Sequence, residues 1–172
     1  MRQALVVMGP AGSGKSLIGS ALAAALHLPF IEGDNFHPPA NIALMAAGTP
    51  LTDDDRHEWL LALADQLGTA RTDARGVVLS CSALKRRYRD LLRSGDDATC
   101  FVFLSTDVGV LRERLLARRG HYMPATLLDS QLAALESPGD DECAMTIDAH
   151  QAPAVIVATV LERLPAMFRI TE

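Results

Sequence analysis

A chain of 172 residues fits one domain of ordinary size, and 49% apolar residues are ample for a sizeable core. The net charge of −5 argues against a general nucleic-acid or membrane-surface binder. The longest nearly apolar segment, ALAAALHLPFI, is broken by His27 and Pro29 and falls short of the ~20 residues of a membrane span, and no signal-peptide pattern opens the chain, so a cytoplasmic protein is expected.

In chain order, short apolar runs alternate with stretches of helical period, the pattern of an α/β protein with a five-stranded parallel sheet covered by helices. The first strand, ALVVM (4–8), runs into GPAGSGKS and a helix over 15–26. The second, PFIE (29–32), is followed by GDNFHPPA and a helix over 40–47. A longer helix starts after Thr52, where Asp55 three residues on gives a capping-box pattern and Asp53, Asp54 and Asp55 suit the positive end of the helix dipole. VVLSC (77–81) leads to a helix over 83–93, CFVFL (100–104) to helices over 107–118 and 124–136, and AMTID (144–148) to a helix over 152–164. Gly120 and SPGDDE (137–142) mark an expected mobile excursion between the fourth and fifth strands. Cys81, Cys100 and Cys143 are odd in number, far apart and set in apolar context, so they read as reduced, buried small hydrophobes rather than a disulfide framework or a zinc site. Cys81 is assigned to packing, since nothing near it in the sequence favours a thiolate.

GPAGSGKS matches the phosphate-loop pattern G-x-x-x-x-G-K-[ST] in full and lies between an apolar strand and a helix, where that motif works. Gly9, Pro10, Ala11, Gly12, Ser13, Gly14, Lys15 and Ser16 are therefore expected to cradle the nucleotide. The glycines turn successive N–H groups toward one anion, and the helix adds its N-terminal dipole. Lys15 reaches the β- and γ-phosphates and the Ser16 hydroxyl ligates Mg²⁺. This pattern predicts a nucleoside triphosphate and leaves the acceptor open. There is no N-K-x-D guanine signature, and the third strand ends in VVLSCS without the aspartate of a standard Walker B. A carboxylate that organises Mg²⁺ must come from elsewhere, and in an open α/β sheet the end of the second strand is next door. Glu32 and Asp34 flank Gly33 there: one is placed to organise metal-bound water, the other to meet an acceptor hydroxyl. His37, held ahead of Pro38 and Pro39, is placed to offer a hydrogen bond to a polar substrate. Alone, an acidic pair after a strand is ordinary turn chemistry and a single histidine is ordinary structure; the phosphate loop makes them a site. Of the sixteen cations, nine sit in LKRRYRDLLR and LRERLLARRGH, which suggests a local anion site, the alternative being a solvated helix face. Lys15 and Lys85 are the only lysines and mark positions suited to a compact ammonium.

Together these stretches resemble the gluconate kinases (gluconokinases), P-loop small-molecule kinases related to shikimate and adenylate kinases. The resemblance covers nearly the whole chain: GPAGSGKS, GDNFHPPANIALMAAGTPLTDDDRHEWL, CSALKRRYRDLLR, RLLARRGHYM and LLDSQLAALESP. G-D-x-x-H-P, P-L-x-D-x-D-R and C-S-A-L-K-x-x-Y-R-D are its distinctive motifs. It implies one domain, 1–172, with the three-layer P-loop kinase fold, a substrate-binding helical excursion over about 35–70 and a helical lid over about 118–140. The implied activity is phosphorylation of D-gluconate at its 6-hydroxyl by ATP and Mg²⁺, and the implied assembly is a homodimer. Asp34, His37, Arg56, Lys85, Arg86, Arg89 and His121 are the implied gluconate site, and Arg114 and Arg118 the lid arginines on the triphosphate. Lys85 with Arg89, and Arg114 with Arg118, are i,i+4 pairs expected to share a helix face. On this reading Lys15, Arg118 and Mg²⁺ offset charge on the transferred group, Asp34 orients or deprotonates the 6-hydroxyl, and Glu32 organises the metal's water. Leu44, Glu58 and Glu32 stand where the family often has Lys, Pro and Asp. A kinase for a related sugar acid or a shikimate-like hydroxy acid is one alternative. A nucleotide-binding regulatory module without an acceptor is another, separated by whether ATP turnover depends on gluconate.

Overall fold

The computed structural model describes residues 4–117 and 125–168. Five strands, β1 (Ala4–Met8), β2 (Phe30–Glu32), β3 (Val77–Ser80), β4 (Cys100–Ser105) and β5 (Ala144–Asp148), form one parallel sheet in the order β2-β3-β1-β4-β5. Side chains alternate across a strand, so β1 divides its apolar run between two cores. Leu5 and Val7 pack with Ile18 and Leu22 of α1 (Lys15–Leu26) and with Ile156 and Val160 of α7 (Pro153–Phe168). Val6 and Met8 pack with Trp59, Leu63 and Leu67 of α3 (Asp53–Thr72) and with Tyr88 and Leu92 of α4 (Arg86–Arg93). Each such side chain, removed from water, contributes roughly 1.5–3 kcal/mol.

Three shorter helices, α2 (Pro39–Ala46), α5 (Val108–Ala117) and α6 (Ala125–Ala134), and a 3₁₀ turn at Gly33–Phe36 complete the described elements. All five predicted strands are present, and the helix boundaries move by a few residues. The boundary that matters is α4, expected from 83 and observed from Arg86.

Local chemistry fixes the elements that carry the site. At the start of α3, Thr52 Oγ1 accepts the Asp55 N–H at 3.2 Å while Asp55 Oδ2 accepts the Thr52 N–H at 2.7 Å, the capping box expected from the sequence. Between β2 and the 3₁₀ turn, a Cβ on Gly33 would lie 2.1 Å from the Ser80 carbonyl oxygen, so only glycine lets the ends of β2 and β3 approach this closely. Because β3 and β4 flank β1 on opposite sides, the connections after β1 diverge and leave a crevice beyond its carboxyl end.

Two expectations are corrected. Cys100 and Cys143 form a disulfide, and Cys81 alone is a free thiol among the described cysteines. Their 43-residue separation hid the pairing, but the parallel β4/β5 register sets Phe101 opposite Ala144 and brings the two preceding residues together. The stretch 137–142 is fastened rather than loose: Glu142 pairs with Arg89, Asp141 with Arg86, and the Gly139 N–H donates to Glu142 Oε1 at 2.9 Å. Among the described residues no helix is long and apolar enough to cross a membrane.

Candidate active site

A cavity of about 680 Å³ occupies the crevice. One wall is the phosphate loop and the first turn of α1; facing it are Asp34, His37, Arg56 and Trp59, with Arg114 of α5 and Gln131 of α6 closing the side.

The loop wall is built for an anion. Gly14, at φ 95°, ends the loop in a left-handed turn that starts α1 at Lys15 and aims the helix N-terminus into the cavity. The Ser13 hydroxyl is buried and has no hydrogen-bond partner, a donor left for something in the loop's concavity. The Ala11 N–H is held by Gln131 Oε1 at 2.8 Å, so α6 supplies a neutral acceptor where an anionic oxygen would bind more strongly. Lys15 Nζ donates to the Pro10 carbonyl at 3.0 Å, which folds the ammonium over the loop. Arg114 donates to the carbonyls of Gly12 at 3.5 Å and Ala149 at 2.7 Å, tying the loop to the segment after β5.

The opposite wall is held by α3 and α2. Trp59 donates its indole N–H to the Gly33 carbonyl at 2.8 Å and stacks on His37 at 4.1 Å between ring centroids. The buried Asn41 amide donates to the Asp55 carbonyl at 2.7 Å, so its nitrogen is the atom that meets His37 Nδ1 at 3.4 Å. An amide N–H there makes Nδ1 the acceptor and leaves the imidazole proton on Nε2, 4.0 Å from Asp34 Oδ1. Burial lowers the His37 pKa, Asp34 opposes that and Arg56 adds to it, so the ring is neutral at neutral pH and presents one N–H. The Asp34 side chain is 71% exposed and open to an incoming hydroxyl. Arg56 lines the same cavity, its Nη1 donates to the Tyr88 hydroxyl at 3.3 Å, and no carboxylate forms an ion pair with it among the described residues.

Several expected site residues are elsewhere. Glu32 is not on the cavity wall: its Oε1 accepts the Ser80 hydroxyl, whose oxygen accepts the Gly33 N–H at 3.3 Å, so it braces the turn carrying Asp34. Lys85 precedes α4 with extended dihedrals (φ −98°, ψ 149°) and donates to Asp53 at 2.9 Å, so the expected shared face with Arg89 does not form. Arg89 is fully buried and forked onto Glu142 at 2.6 and 2.8 Å; Arg86 is exposed and pairs with Asp141. Neither lines the cavity. Arg118 and His121 lie outside the described residues. Cys81 is buried, which pushes its thiol up to about 12 and leaves it a protonated packing group, as expected. Sequence reasoning missed Trp59, Asn41 and Gln131. Trp59 had a signal, since three residues after Arg56 on a helix places it on the same face.

The AAA domain family profile matches residues 5–138. Gluconokinase from Gluconobacter oxydans (strain 621H) is 46% identical over 162 residues, spanning 94% of this chain and 91% of that protein. The chain belongs to the gluconokinase family. Among solved structures, a gluconokinase from Sinorhizobium meliloti 1021 is 45% identical with a TM-score of 0.89, covering 99% of this chain and 97% of that one. An unliganded sugar kinase from Janibacter sp. HTCC2649 is 42% identical with a TM-score of 0.91, covering 97% and 98%.

Proposed function

We propose that this chain is an ATP:D-gluconate 6-phosphotransferase. One observation carries the reading: the loop wall and the Asp34, His37 and Arg56 wall face each other across a single cavity, so a triphosphate on one side meets a polyhydroxy acid on the other. Catalysis is then positioning and charge neutralisation, not covalent chemistry. Lys15 and the loop N–H groups hold the β- and γ-phosphates. Arg56 pairs with the gluconate carboxylate, His37 donates its Nε2–H to a substrate hydroxyl, and Asp34 aims the 6-hydroxyl and accepts its proton as the new O–P bond forms. Mg²⁺ would be held by the Ser16 hydroxyl on the cavity wall and would supply neutralisation of phosphate charge; no cluster of three or more His, Cys, Asp or Glu side chains forms a metal cage among the described residues. Helix α6 acts as part of the lid, with Gln131 seated on the loop. The enzyme works in the cytoplasm.

The test is ADP release by the wild type and Asp34→Asn across gluconate, glucose and shikimate. Gluconate should be strongly preferred, since glucose leaves Arg56 unpaired in a partly desolvated pocket and mispaired polar sites reject analogues by up to ~10⁴-fold. Asp34→Asn should lower kcat by about 10²–10⁴ with both KM values little changed. Equal turnover of glucose and gluconate would remove the carboxylate reading, and a normal kcat in Asp34→Asn would remove the base.

A further inference from the structure

The basic segment 85–93 carries part of the C-S-A-L-K-x-x-Y-R-D motif, yet its cations are all engaged by the protein's own carboxylates. Lys85 and Arg87 pair with Asp53, Arg86 with Asp141, Arg89 with Glu142 and Arg93 with Asp90. None of these side chains lines the cavity. The segment reaches the site by another route, the phenol of Tyr88. Its ring is 4% exposed, its hydroxyl donates to Asp53 Oδ1, and its oxygen accepts from Arg56 Nη1 at 3.3 Å. The Arg56 guanidinium carbon stands 5.7 Å from the centroid of the same ring, within cation–π range.

We propose that Tyr88 is a positioning residue for Arg56, aiming its guanidinium at the substrate carboxylate. A guanidinium only donates and an ionised carboxylate only accepts. Between them the phenol has one satisfied arrangement: it takes a hydrogen bond from Arg56 and gives one to Asp53. Asp53 thus fixes the direction of a two-bond chain that ends on the cavity wall, and each bond polarises the next. A free arginine side chain loses rotamer entropy on binding. Tethering one terminal N–H to Tyr88 removes part of that cost beforehand and leaves the rest of the fork for a ligand. The same link explains why P-L-x-D-x-D-R and the K-x-x-Y motif occur together in this chain: Asp53 and Arg56 come from the first, Lys85 and Tyr88 from the second, and the four meet at one point.

The proposal rests on the reading of Arg56 as the carboxylate partner, and the test separates the two. Steady-state kinetics are measured for wild type, Tyr88→Phe, Arg56→Ala and the double variant. Tyr88→Phe keeps the buried ring and removes only the hydroxyl, so folding is preserved. The expected result is a rise in the gluconate KM of about 3- to 10-fold, the range of one modest hydrogen bond, with kcat and the ATP KM close to wild type. Arg56→Ala should raise the gluconate KM further, and the double variant should be no worse than Arg56→Ala. An unchanged gluconate KM in Tyr88→Phe beside a raised one in Arg56→Ala would overturn the positioning role alone. Additive effects in the double variant, or an equal rise in the ATP KM, would overturn it too. An unchanged gluconate KM in Arg56→Ala would instead overturn the parent reading.

Discussion

His37 shows how a single side chain acquires a defined protonation state from its neighbours. Sequence placed it correctly, after the second strand and ahead of two prolines, but could not supply the Trp59 stack or the Asn41 amide that set its tautomer. Those contacts come from helices α3 and α2 and exist only in the folded chain. They also make a pH dependence. Burial holds the folded-state pKa of His37 below its ordinary value of 6.5, so below about that pH the unfolded chain binds a proton that the folded one resists. The stabilisation is complete above the unfolded pKa and declines as pH falls toward the folded one. Melting curves at about pH 7.5 and about pH 5.5 should therefore show a larger loss of Tm on acidification for the wild type than for His37→Gln. Equal losses would mean that this ring does not resist protonation. Asp34, by contrast, was legible from position alone, because the carboxyl end of a strand beside a phosphate loop is where an open α/β sheet binds ligands.

Helix α4 shows how an element boundary decides chemistry. A helix starting at 83 would have put Lys85 and Arg89 one turn apart on one face, aimed together at an anion. The observed start at Arg86 leaves Lys85 in extended conformation, and the two diverge, Lys85 to Asp53 and Arg89 to Glu142. Arg89 Nη1 also donates to the carbonyls of Ala83 and Glu136, so this one guanidinium joins the start of α4 to the segment between α6 and β5. Burial alone would raise the Glu142 pKa, but hydrogen bonds from Arg89 and the Gly139 N–H outweigh it and hold the carboxyl below its usual range. The pair is therefore ionised, and losing one partner strands the other charge in the interior. Arg89→Met should cost about 3–5 kcal/mol in equilibrium urea unfolding, with the gluconate KM of the remaining folded enzyme unchanged. A raised gluconate KM without loss of stability would return Arg89 to the substrate site. Capping was easier to read than this boundary: Thr52 and Asp55 are three residues apart, and their reciprocal bonds need no distant partner.

Across the whole molecule, the disulfide is the feature least visible in the sequence. Cys100 and Cys143 head the neighbouring strands β4 and β5, and closing a 43-residue loop in the unfolded chain should stabilise the fold by about 2–4 kcal/mol. Denaturant unfolding with and without a thiol reductant should differ by that amount, and Cys143→Ser should match the reduced protein and ignore the reductant. No difference would show that the bond does not constrain the unfolded state. In a reducing compartment the bond would open to two thiols and that contribution would be lost. The sequence by itself determined the parallel sheet, because strands buried on both faces need unbroken apolar runs, and it determined the phosphate loop, because that device is eight contiguous residues acting through their own backbone. The tertiary structure alone decided which carboxylate each cation meets, which cysteine faces which, and that Arg56, rather than Lys85, Arg86 or Arg89, stands on the cavity wall. The physical reason is range: a side-chain charge or thiol pairs with whatever comes within a few ångströms, and that neighbour is set by strand register and helix packing tens of residues away in sequence.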